Sequence, residues 1–238
     1  MRRRVQYLVL IFSYNLNELT LFYPNDKLYC SKLNNNYMFY SDPFINHYKS
    51  KNVDHYNYYF YENAFTDEEL GYIMEWGEAT DLQPGEIGTA DDNVVTEIRQ
   101  SEVGWIEFQE GTQWIYDRLA YYAIEANEEM NWNFNLMGFG DEMQYTKYYG
   151  TNKGHYSWHG DIGPMVSHRK LSMVLQLTDP EEYDGGDLEI SIGSITLKVP
   201  RKKNSLTIFP SFVLHRVLPV TSGERRSLVS WISGQNYM

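Results

Sequence analysis

Four residues in the last third of the chain carry its strongest chemical signal: His159 and Asp161 in SWHGD, His215 in VLHRV, and Arg225 in TSGERRS. Two imidazoles and one carboxylate can cap one face of an octahedral Fe(II). A guanidinium close to them would hold a dicarboxylate through paired, charge-assisted hydrogen bonds. The His-x-Asp spacing alone is weak, because a chain with six His and thirteen Asp produces it often by chance. Its setting adds weight: residues i and i+2 of a strand share a face, so His159 and Asp161 can serve one ion from one strand end. His215 lies in the apolar run FVLHRVL, where an unpaired ring is costly to bury. A metal would relieve that cost, and so would an ordinary hydrogen bond, the commoner arrangement in protein cores. Arg225 follows just beyond TSGE and can enter the same cavity from a neighbouring strand. Strand alternation requires that one of Arg225 and Arg226 point inward.

These side chains need a scaffold, and the chain is long enough for one domain with an extension. Residues 1–57 are rich in Tyr and Asn without a sustained period; they read as an irregular extension of unknown role with one or two strands. From residue 58 the patterns sharpen into a second region, 58–238. In TDEELGYIMEWGEA, Thr66 and Glu69 stand at capping-box spacing and Leu70, Ile73, Met74 and Gly77 fall on one face, which predicts a helix. EVGWIEF reads as a strand. TQWIYDRLAYYAIEANEEM predicts a second helix through Ile115, Leu119, Tyr122 and Ala126. After Gly138 the strand-like runs are EMQYTKYY, KLSMVLQLTD, GDLEIS, SITLKVP, NSLTIFP, VLHRVLPV and SLVSWIS, separated by YDGG, PRKKN, PSF and TSGER. The predicted architecture is α+β: a double-stranded β-helix, or jelly roll, with the N-terminal helices packed on one sheet. Gly185 and Gly186 fit a tight turn.

Composition excludes several functions. A net charge of −12 gives no electrostatic footprint for a phosphate backbone, so nucleic acid is not an expected partner. Cys30 is the only cysteine, which rules out an intramolecular disulfide and a thiolate zinc site. MRRRVQYLVLIF superficially looks like a signal peptide, but its apolar run is short, holds Gln6 and Tyr7, and meets no small-residue cleavage site. No stretch approaches the length of a membrane span. The sequence reads as cytoplasmic, with no membrane partner and no indication of oligomeric state.

HYSWHGD, RKLSMVLQLTDPEEYDGGDLEI, LTIFP and HRVLPVTSGERRSLVSWIS together resemble the Fe(II)- and 2-oxoglutarate-dependent dioxygenases of the prolyl 4-hydroxylase branch, including the PKHD-type hydroxylases of bacteria and phages. The resemblance runs from Tyr58 to Gly234 and is strongest after Glu142. It implies that His159, Asp161 and His215 ligate iron and that Arg225 clamps the distal carboxylate of 2-oxoglutarate. It also implies a cosubstrate-contacting tyrosine before the His-x-Asp motif: Tyr148, with Tyr145 and Tyr149 as competitors because YYGTNKGHYSWH holds a two-residue insertion near the active-site mouth. Arg169 aligns with an active-site arginine that faces substrate, Tyr156 with the tyrosine three residues before the first ligand, and Trp231 with the tryptophan of the terminal strand. Tyr156 and Trp231 fit equally well as core aromatics, and Arg169 as a surface residue. The activity implied is hydroxylation of a substrate C–H with release of succinate and CO2, and ascorbate (vitamin C) as auxiliary reductant. The substrate implied is a protein or peptide, above all peptidyl proline giving 4-hydroxyproline. Another protein side chain, a free amino acid, or a jelly-roll binding module without turnover are the alternatives.

Overall fold

A computed structural model describes residues 21–23, 26–33, 36–41, 58–86 and 96–237, with side chains for the last two ranges. The chain divides into two compact units, Met1–Asp54 and His55–Met238. In the first, β1 (Leu21–Tyr23), β2 (Asp26–Leu33) and β3 (Asn36–Ser41) form an antiparallel sheet in sequence order. That is more regular than the one or two strands expected there. The strands are separated in sequence by Pro24-Asn25 and Asn34-Asn35, residue types that suit tight hairpins.

The second unit holds two sheets. The larger is built on β11 (Arg169–Gln176), β17 (Val220–Gly234) and β9 (Met143–Tyr149), flanked by β15 (Leu206–Pro210) and β4 (Tyr59–Tyr61) on one side and by β7 (Glu102–Ile106) and β5 (Gln83–Pro84) on the other. β8 (Leu136–Phe139) and β12 (Tyr183–Gly185) also pair with β17. The smaller sheet runs β14 (Ile195–Lys198), β13 (Leu188–Ile192), β16 (His215–Val217), β10 (His155–His159) and β6 (Arg99–Gln100). Every pairing among these strands is antiparallel.

Two-residue alternation gives the larger sheet two different faces. Leu171, Met173 and Leu175 of β11, Tyr145 of β9 and Leu228 and Ile232 of β17 join one core with Leu70 and Ile73 of α1 (Asp67–Glu78) and Ile115 and Leu119 of α2 (Gln113–Glu129). Tyr148, Val174, Phe209 and Val220 face the other way and meet Leu188, Ile190 and Val217 of the smaller sheet. This is a jelly-roll core with the helices on one sheet, as the pattern predicts. Helix α1 begins with the expected capping box: Glu69 N–H donates to Thr66 Oγ1 at 3.2 Å and Thr66 N–H to Glu69 Oε2 at 2.7 Å. Gly77 lets α1 lie against the Tyr145 ring, which a Cβ there would overlap.

Three local expectations change. VLHRVLPV is two strands, since Pro219 lacks the N–H that a continuous ladder would use. TSGER is no separator but part of β17, whose Gly223 takes φ +69° and so lets the strand bend while still pairing with β12. The insertion before His155 forms a 3-10 turn, Gly150–Asn152, against Ser222, and no residue of 150–155 lines the cavity described below. Gly185 and Gly186 take φ +72° and +65°, which favour glycine, where the chain passes from β12 to β13; Gly185 is the last residue of β12 rather than part of a hairpin turn.

Candidate active site

Between the two sheets lies a cavity of about 430 Å³. From the larger sheet, Arg225, Ser227, Val229 and Trp231 reach it as alternate residues of β17; from the smaller, Tyr156, His159 and His215 do. His159 and His215 are direct partners in the β10–β16 register, with ring centroids 4.1 Å apart. Asp161 is not on the strand, as its spacing suggests, but in a bend just after it, held by its N–H to Ser211 O at 2.9 Å. His159 Nε2 stands 3.7 Å from Asp161 Oδ1, and His215 Nε2 3.5 Å from Asp161 Oδ2. One donor atom from each of the three lies within 4.8 Å of the others.

The surroundings fix these donors in the form a metal requires. Nδ1 of His159 faces Ser157 O at 2.8 Å and Nδ1 of His215 faces Val213 O at 3.0 Å. A carbonyl can only accept, so Nδ1 carries the proton and each Nε2 keeps its lone pair for an ion. Burial, then His215, lowers the His159 pKa to about 4, which keeps that ring neutral near pH 7. Burial opposes ionisation of Asp161, but His215 and His159 and a 2.6 Å hydrogen bond from Ser172 Oγ outweigh it, so the carboxyl lies below its ordinary value. The Trp231 indole N–H adds to this from outside hydrogen-bonding geometry. The donor types suit Fe(II), which would draw these atoms closer together than the 4.8 Å within which they now lie.

Arg225 is 1 % exposed, and among the described residues no carboxylate lies within ion-pair reach. Its Nη2 donates to Gln176 Oε1 at 3.0 Å, while Nε and Nη1 are buried without a partner. Such a cation is expensive unless an anion joins it, and the unused N–H groups match a carboxylate. Arg226, its neighbour in sequence, faces the helix side with Glu224 and Glu78. Of the three tyrosines, Tyr148 pairs with Arg225 across β9 and β17 and lines the cavity, its ring centroid 5.4 Å from the guanidinium carbon. Tyr145 faces α1 and donates to Glu78, and Tyr149 donates to Glu102.

The outer wall is aromatic and cationic. An extra residue in β10 between Tyr156 and His159 turns this i, i+3 pair to one side, where their rings stack with centroids 3.5 Å apart. Arg99 lies over the Tyr156 ring at 4.7 Å. Arg169 sits 3.8 Å above Trp231 and donates to Asp141 through Nε at 2.9 Å and Nη2 at 3.0 Å. Sequence reasoning passed over Asp141, Arg99, Ser172 and Gln176. Only the last two left a trace, as polar residues interrupting the apolar run LSMVLQL.

Asp141 has a readable pH signature. Burial pushes its carboxyl up, but Arg169 and then His168 outweigh this and hold it below the ordinary range. A pKa depressed by folding contributes stability that is complete above the unfolded value and is lost as pH falls through the lower folded value. Asp141→Asn is therefore expected to flatten the acid side of a melting-temperature profile between about pH 5 and pH 2; an unchanged slope would count against a tight Asp141–Arg169 pair.

Residues 143–233 match the sequence profile of the 2OG-Fe(II) oxygenase superfamily. That stretch of the chain is similar to the superfamily. Within these residues lie His159, Asp161, His215 and Arg225. A PKHD-type hydroxylase of Hyphomonas neptunium is 53 % identical over 62 residues, which cover 26 % of this chain and 28 % of that protein. One of Synechococcus sp. (strain CC9311) is 46 % identical over 81 residues, covering 34 % and 37 %. The chain thus spans about a third of the length of these curated relatives. A Pseudomonas putida prolyl-4-hydroxylase superposes with a TM-score of 0.59 at 21 % identity, over 76 % of this chain and 94 % of that one. A prolyl hydroxylase from Trichoplax adhaerens, solved with a hypoxia inducible factor peptide fragment, gives 0.63 at 15 %, over 76 % and 85 %. Both share the fold of this chain.

Proposed function

We propose that the protein is an Fe(II)- and 2-oxoglutarate-dependent dioxygenase that hydroxylates peptidyl proline to 4-hydroxyproline. The observation that carries this reading is the convergence, in one cavity, of three neutral or anionic donors and a buried arginine with unused N–H groups. In it His159, Asp161 and His215 hold the metal; Arg225 and Tyr148 receive the cosubstrate; Arg169, Tyr156 and Trp231 form the wall against which substrate lies. The bound metal supplies the oxidising chemistry, in which 2-oxoglutarate becomes succinate and CO2 and one oxygen enters the substrate C–H bond.

The protein's own part is positional. Carbonyl contacts at both Nδ1 atoms present lone pairs to the ion, Ser172 aims the Asp161 carboxylate, and the Arg225 charge draws the distal carboxylate to the cavity floor. A peptide substrate is supported by the open aromatic wall, where Trp105 is half-exposed and packs on Trp231, and by the peptide bound to the Trichoplax neighbour. Ascorbate as auxiliary reductant and a cytoplasmic setting complete the proposal; among the described residues no helix is long and apolar enough to cross a membrane.

Incubation of the full chain with Fe(II), 2-oxoglutarate and a proline-rich peptide is expected to yield succinate and a peptide heavier by one oxygen at proline. Succinate without peptide oxidation would move the reading to another side chain or a free amino acid. No succinate with any amino-acid or peptide substrate would leave a binding module.

A further inference from the structure

We infer that Gln176 is the positioning residue that keeps Arg225 both oriented and uncompensated for the cosubstrate; this rests on the proposed 2-oxoglutarate site and assigns a residue to it. Gln176 is 2 % exposed and lies in β11, the strand hydrogen-bonded to β17. Most of its strand neighbours are apolar, so a primary amide there needs a reason. Its Oε1 accepts from Arg225 Nη2 at 3.0 Å, and this is the one hydrogen bond the guanidinium makes among the described residues.

Two consequences follow from the chemistry of that single partner. The bond restrains a planar fork at one nitrogen, leaving Nε–H and Nη1–H free for a ligand. The amide is also neutral. A carboxylate at the same place would satisfy Arg225 internally, as Asp141 does for Arg169 on the opposite side of the cavity. Two arginines that line the cavity are thus set differently: Arg169 is paired with a carboxylate, while Arg225 keeps its charge for an incoming dianion. The aliphatic stem of Arg225 is seated against Gly186, whose absent Cβ would lie 3.1 Å from Cδ, so the guanidinium has little room to swing toward any other partner.

The test uses binding rather than turnover. The full chain is loaded with Mn(II) under anaerobic conditions and titrated with 2-oxoglutarate by calorimetry, for wild type, Gln176→Glu and Gln176→Leu, with Mn(II) affinity measured separately. Gln176→Glu is expected to weaken 2-oxoglutarate at least about tenfold, the cost of competing with a charge-assisted bond, with Mn(II) affinity unchanged. Gln176→Leu, which removes orientation but not charge, is expected to weaken it about threefold to tenfold. In steady-state assays both should raise KM for 2-oxoglutarate more than they lower kcat. Affinity within twofold of wild type in both variants overturns the role of Gln176; should the Glu variant not fold, the Leu variant alone decides by the same threshold. A wild-type protein that binds Mn(II) but not 2-oxoglutarate would instead overturn the cosubstrate site itself.

Discussion

Asp161→Ala is expected to abolish Fe(II)-dependent succinate formation, with a loss above about a hundredfold, since removing even a residue that stands behind a metal ligand commonly costs 10–100-fold. Asp161 is the one anionic donor of the three, and both imidazoles look onto it at 3.5 and 3.7 Å. Without it two neutral rings remain, which is too few donors and no charge to hold Fe(II) against water. His159→Ala should act in the same direction. Titration with Mn(II), together with the succinate assay, checks both changes; turnover that survives either one would sink the metal assignment.

Arg225→Met is expected to lower 2-oxoglutarate affinity by at least roughly a hundredfold, because two charge-assisted hydrogen bonds of about 1.5–3 kcal/mol each are lost, at about 1.4 kcal/mol per factor of ten. The same change should raise the melting temperature of the ligand-free protein. A guanidinium 1 % exposed with one partner pays a desolvation cost that a thioether of similar length does not. Opposite signs for binding and stability mark a residue retained for its ligand. Calorimetry and thermal melting on one protein preparation provide both numbers. A fall in melting temperature with unchanged 2-oxoglutarate affinity would mean that Arg225 serves the core alone.

The four residues His159, Asp161, His215 and Arg225 were legible in sequence because each is a costly type in a costly place: ionisable groups inside or beside apolar strand runs need partners. The helices were legible for a related reason, since a capping box and a 3.6-residue apolar period are local signals. Asp141 was not, because its meaning is its pairing, from the turn between β8 and β9, with Arg169 at the start of β11, and nothing local in GDE announces that. Tyr148 could not be separated from Tyr145 and Tyr149 by spacing, since three aromatics within five positions of one strand differ only in the face they take.

By itself, then, the sequence determined which chemistry this chain can hold: the ligand types, the basic residue that follows the last histidine, and a strand-rich domain able to bury them. Tertiary structure decided where each group stands. The β10 bulge stacks Tyr156 on His159, the bend after β10 rather than strand alternation brings Asp161 beside the two histidines, and the register of β9 on β17 puts Tyr148 beside Arg225. Gln176 became informative only when β11 paired with β17. The physical reason is one of range: burial cost and periodicity act within a few residues and leave their mark in composition, whereas register, bulges and cross-strand partners are settled by packing between segments distant in the chain.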